Sequence, residues 1–113
     1  ASAVELVETR DLMFLDRADG AVLVTDTAGN TVSVILPSSE HGFVRGVLRG
    51  LARERRLKGA SPAAPFRLAA WTDHGLTLTD LATGRQIELG AFGPTNREAF
   101  AVLLPSAGKG GRP

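Results

Sequence analysis

The same strand, strand, strand, helix pattern is written twice in this chain, and that repetition limits the fold more than any other feature. In the first pass, Leu12 and Phe14 lead to an Asp19-Gly20 turn. Val22 and Val24 follow on one face with Leu23 and Thr25 on the other, Ala28-Gly29-Asn30 turns the chain, and Val32, Val34 and Leu36 alternate with Ser33 and Ile35. Period-two alternation punctuated by glycine turns is the pattern of strands with one well-buried face. In the second pass, Phe66 and Leu68 alternate with Arg67 and Ala69, and Asp73-His74-Gly75 turns. Leu76 and Leu78 alternate with Thr77 and Thr79, Ala82-Thr83-Gly84 turns, and Ile87 and Leu89 alternate with Gln86 and Glu88. An offset of 54 carries Leu12 onto Phe66, Asp19 onto Asp73, Val22 onto Leu76 and Asp26 onto Asp80; an offset of 55 carries Gly29 onto Gly84, and 57 carries Phe43 onto Phe100.

Three strands and one helix cannot bury both sheet and helix alone, whereas two such units packed together make one core. At 113 residues the chain has room for one small domain. The expectation is an α+β fold: six mostly antiparallel strands, as a sheet or split barrel, with two helices and a pseudo-twofold between units at residues 11–59 and 65–105. A single soluble domain then covers residues 1–105, and residues 106–113 (SAGKGGRP) read as a flexible tail.

The first helix is GFVRGVLRGLARERRLK. Phe43, Val44, Val47, Leu48 and Leu51 fall within about 140° of a helical wheel. Ser38 or Ser39 is placed to cap its start and Gly59 to end it, and the connector Ala60–Pro65 cannot continue it. Arg45, Arg49, Arg53 and Arg56 form a second stripe almost opposite the apolar one, with Gly42, Gly46 and Gly50 along one border. Interior glycine costs a helix about 1 kcal/mol relative to Ala. The glycines therefore suggest either close helix-on-strand packing beneath a solvated polar face, or a shallow docking face rimmed by guanidinium groups suited to carboxylates and phosphates. The second helix is expected from Thr95, with Glu98 completing a capping box.

Charge concentrates on that first helix. Net charge is only +1, yet residues 1–40 carry seven acids and two Arg, while residues 41–58 carry six bases against Glu54. A partner reading the domain by charge meets the helix first. So modest a total, with aromatics at 5%, argues against nucleic acid as that partner.

Nothing in the sequence assembles a catalytic or metal centre. Absence of Cys removes disulfides, thiol catalysis and Cys-based zinc sites. His41 and His74 have no second His at helical spacing, and Asp16, Asp19, Asp26 and Asp80 read as turn and strand-end acids. No apolar run approaches the length of a membrane span. The Ala1-Ser2-Ala3 start implies that an upstream piece, a signal or an anchor, has been removed. Trp71 reads as a core or strand-edge anchor, with ligand stacking as the alternative. Phe92, in the Gly93-Pro94 turn region before the second helix, is a candidate partner contact.

The strings GFVRGVLRGLARER, PFRLAAW, LTLTDLATGRQIELGAFGPTN and AFAVLL resemble the PuhC family of photosynthetic complex assembly proteins of purple phototrophic bacteria, over about Arg10 to Leu104. The resemblance implies a non-enzymatic role in assembling the reaction centre and its light-harvesting 1 antenna, with no cofactor. It also implies a single-pass N-terminal anchor in the photosynthetic inner membrane and a domain facing the periplasm. No residue-level role comes with it. On physical grounds the candidate partner-binding residues are Arg45, Gly46, Arg49, Gly50, Arg53, Arg56 and Phe92. They would meet acidic surfaces of reaction-centre or antenna polypeptides, or lipid headgroups. The alternative is pigment handling, with bacteriochlorophyll or carotenoid in an apolar pocket and His41 or His74 as a magnesium ligand.

Overall fold

A computed structural model describes residues 3–37 and 42–110. Strands β1 (Leu6–Asp16), β2 (Val22–Asp26) and β3 (Thr31–Ile35) are followed by helix α1 (Gly42–Lys58). Then come β4 (Phe66–Trp71), β5 (Leu76–Asp80), β6 (Gln86–Glu88), a 3-10 turn (Leu89–Phe92), α2 (Pro94–Ala101) and α3 (Pro105–Gly110). The six strands form one open sheet in the order β3-β2-β1-β4-β5-β6, every neighbouring pair antiparallel. The order reads the same outward from its centre in either direction. Two meanders are joined along β1 and β4, as the pseudo-twofold requires, and the sheet is not closed into a barrel.

The repeat extends to individual turn bonds. At the first hairpin Arg17 N–H donates to Ala21 O and Gly20 N–H to Arg17 O; 54 positions later Trp71 N–H donates to Gly75 O and His74 N–H to Trp71 O. Asp19 and Asp73 each accept the amide two residues on. The turn needs a positive φ, which Gly20 adopts at 89° and His74 at 67°. The second hairpins match likewise: Asp26 accepts from Ala28 N–H and Asp80 from Ala82 N–H, with Gly29 and Gly84 at φ 92° and 82°. His74 is thus an exposed turn residue, and His41 lies outside the described residues.

One sheet face carries the core. Leu12, Val24, Leu68, Leu76 and Leu78 have no exposure and pack with Val44 and Leu51 of α1 and Phe100 of α2. Phe43 and Phe100, the residues matched between the two units, meet edge to face at 5.9 Å. Gly59, at φ 67°, ends α1 in a Schellman arrangement, with Ala60 N–H donating to Arg55 O and Gly59 N–H to Arg56 O.

Several boundaries differ from the sequence reading. β1 begins at Leu6 rather than near residue 11, because it pairs with β4 through Leu6–Leu12 and with β2 through Leu12–Asp16. β6 stops before Leu89: the Glu88 carboxylate accepts Gly90 N–H and folds the chain into the 3-10 turn. The Thr95 capping box does not form. α2 starts at Pro94 with Gly93 at its N-cap and no side-chain cap, since Pro presets the first helical φ and Thr95 falls inside the first turn. The expected tail begins as α3, which is held to β1 where Glu8 accepts both the amide and the hydroxyl of Ser106. Ser38 and Ser39, the expected caps of α1, lie outside the described residues.

Candidate functional site

The arginines of α1 separate into three kinds. Arg55 points inward and is 5% exposed beside Asp80 at 0%. Its Nε donates to both Asp80 oxygens at 3.0 and 2.9 Å, its Nη2 to Oδ1 at 2.7 Å, and its remaining donors reach the carbonyls of Pro62 and Pro65. The guanidinium lies 4.1 Å from the ring centroid of Phe66, in cation–π contact. This pair welds the first helix to the second meander. Sequence reasoning overlooked it, although Arg55 stands four residues after Leu51 on the apolar side of the wheel, which is the available signal.

Arg45 is half-buried and turns toward the end of β3, donating to Pro37 O at 2.9 Å and Ile35 O at 3.4 Å. Its Nε is buried without a hydrogen-bond partner among the described residues. Arg49, Arg53 and Arg56 are exposed and form no ion pair among the described residues. The expected four-arginine stripe is therefore three exposed guanidiniums and one that anchors the entry to the helix.

Two different flanks border this ridge. On one, Gly42, Gly46 and Gly50 are exposed, and a Cβ added at any of them meets nothing within 4 Å among the described residues. The glycines are not packed against a strand; they form a bare shelf. Leu57, 76% exposed, stands at its C-terminal end, and at the other Phe92, 49% exposed, leans on Phe43 at 5.2 Å. The double substitution Gly46→Ala/Gly50→Ala is expected to stabilise the domain by about 1 kcal/mol per site, read as a raised urea midpoint. A lowered midpoint would mean that something covers the shelf.

On the other flank, α1 spans a cleft of about 520 Å³ at the end of β1 and β2. Phe14, Val22, Leu48 and Phe66 line its interior, and Arg45, Arg49 and Arg56 come to it from the helix. The Phe14 and Phe66 rings meet edge to face at 5.5 Å.

The remaining candidates are structural in their placement. Trp71 ends β4 with its indole N–H donating to Thr77 Oγ1 at 3.0 Å. Hydrogen bonding by the Ala21 amide holds the Asp19 carboxyl below its ordinary pKa with help from Arg17, and the Asn30 amide and side chain do the same for Asp26. Among the described residues no group of three or more His, Asp or Glu is placed to hold a metal ion, and no helix is long and apolar enough to cross a membrane.

Comparison with known proteins agrees with the resemblance in the sequence. The family described as Photosynthetic complex reorganisation protein PuhC matches residues 7–109. A Rhodobacter capsulatus protein described as "Uncharacterized 17.4 kDa protein in puhA 5'region" is 32% identical over 81 residues, covering 72% of this chain and 48% of its own length. The chain thus spans about half the length of that relative. No solved structure matches it.

Proposed function

This chain belongs to the PuhC family of photosynthetic complex reorganisation proteins, and from that premise we propose that it is a non-catalytic assembly factor that docks onto reaction-centre and light-harvesting 1 polypeptides through the exposed side of α1. A role in photosynthetic complex assembly comes with the family. The choice of surface rests on one observation: Arg49, Arg53 and Arg56 border a glycine shelf that the described residues leave bare, although filling it with Ala would favour the helix. Small residues at spacing four let another helix approach closely, Leu57 and Phe92 offer apolar contacts at the two ends, and the guanidiniums select acidic partners. The reading includes a single-pass anchor N-terminal to this segment and a periplasmic position for the domain, both carried by the family resemblance.

The test is Arg49→Glu/Arg53→Glu/Arg56→Glu in the full-length protein, expressed in a purple phototroph. At up to about 1 kcal/mol per exposed pair, the triple reversal is expected to lower co-purification with reaction-centre and antenna polypeptides by about tenfold or more. The melting curve of the domain should stay unchanged, because none of the three arginines makes an ion pair among the described residues. Co-purification at the unsubstituted level would refute the docking face.

A further inference from the structure

We propose that the cleft beneath α1 binds a small amphiphile carrying one anionic head group on an apolar tail. The proposal concerns the flank of α1 away from the glycine shelf and does not depend on docking. The cleft exists because the helix is pinned at two points. Arg45 holds it to the carbonyls of Ile35 and Pro37, and Arg55 holds it to Asp80. Those anchors are ten residues apart, about 15 Å along the helix. Between them Leu48 and the small Ala52 face the turn end of the β1–β2 hairpin, where Asp16, Gly20 and Val22 form the opposite wall of the cleft.

The lining selects the ligand. Its interior is apolar: Phe14, Val22, Leu48, Ala52, Pro62 and Phe66. Arg45, Arg49 and Arg56 supply positive charge, and among the described residues the exposed Asp16 is the one carboxylate in the lining. Arg55 also lines the cleft, but its charge is matched by Asp80. Among the described residues the lining contains no Ser, Thr, Asn, Gln or His. A sugar or nucleotide, whose recognition needs uncharged hydrogen-bonding groups, finds none here, whereas a carboxylate or phosphate finds guanidinium donors. A volume of about 520 Å³ suits a small-molecule site.

The experiment titrates this chain, labelled with ¹⁵N, with four probes below their micellar concentrations: lauric acid, dodecyl phosphate, dodecanol and inorganic phosphate. Lauric acid and dodecyl phosphate are expected to shift the amides of Leu48, Ala52 and Phe14, and to bind at least about tenfold more tightly than dodecanol or phosphate alone. Comparing the two anionic amphiphiles separates a carboxylate source from a phosphate source. Ala52→Phe, which fills the cleft from the helix, should abolish the shifts. Arg49→Gln/Arg56→Gln, which alters only exposed side chains, should weaken anionic probes by about tenfold and leave dodecanol unchanged. Equal binding of dodecanol and dodecyl phosphate would overturn the proposal. So would shifts that appear equally on Leu15, Leu23 and Val34 of the opposite sheet face, or anionic binding untouched by the arginine pair.

Discussion

Asp80→Ala is expected to cost the domain about 3–5 kcal/mol, because it strands the buried Arg55 guanidinium without its counter-charge. Most single domains have about 5–15 kcal/mol in all, so the variant should be close to unfolding at ambient temperature. The internal repeat supplies the control. Asp26 occupies the equivalent turn and accepts the equivalent amide, yet it is only partly buried and forms no ion pair among the described residues, the half-buried Arg10 acting on it by charge alone. Asp26→Ala should therefore produce a clearly smaller loss, and the difference between the two variants isolates the Arg55–Asp80 pair from the turn chemistry they share. Similar urea midpoints for the two would show that the pair contributes little. The same carboxylate gives a pH signature. Burial pushes its pKa up, but the Arg55 hydrogen bonds, the Ala82 amide and the Arg55 charge outweigh burial and leave it below the ordinary 3.8. A depressed folded-state pKa means stability that is fully present above 3.8 and is lost as pH falls below it toward the folded value. Unfolding midpoints measured across that acid range should fall for the unsubstituted chain and flatten for Asp80→Ala.

Phe100→Ala should be nearly as damaging, at about 3–5 kcal/mol. The ring is fully buried and is the largest such side chain in the domain. It is the principal aromatic of α2 in the core and stands edge-on to Phe43 of α1, so the cavity opens in the contact between α1 and α2. α2 has only eight residues and no side-chain cap at its start. It has little stability apart from its packing, and the loss should show as rapid amide exchange across Pro94–Ala101 along with a lowered urea midpoint. Phe100→Leu, which keeps most of the volume, is expected to cost less than about 1.5 kcal/mol. A truncation to Ala as mild as that would show that the Phe43–Phe100 contact contributes little to joining the two units.

What the sequence made readable was whatever is decided within a few residues. Asp19-Gly20, Gly29, Asp73-His74-Gly75 and Gly84 announced hairpins because each turn needs a positive φ and an amide acceptor two residues back. Gly59 announced the helix end for the same kind of reason. The features that escaped depend on partners far along the chain. Leu6–Arg10 shows no clean alternation, and becomes strand because β4 lies alongside it. The burial of Arg55 went unread because its partner Asp80 is 25 positions away. Arg45 joined the stripe on paper, but the end of β3 draws it inward. Of the two readings offered for the glycines, tight packing on a strand does not occur: among the described residues a Cβ at Gly42, Gly46 or Gly50 meets nothing within 4 Å.

The join between β1 and β4 has a bearing on how the chain comes off the ribosome. Each meander closes through short local turns, but this central ladder pairs residues far apart in the chain, from Leu12 with Phe66 to Leu6 with Trp71, and the Asp11–Arg67 ion pair bridges 56 positions. β1 is finished long before β4 has been synthesised, and its Leu6–Leu12 side waits as a naked strand edge, the kind of surface that recruits neighbouring nascent chains. Glu8, Arg10 and Asp11 fall on that waiting stretch. Their charges make the unfinished half a poor template for strangers, and Asp11 later greets the intended strand through Arg67.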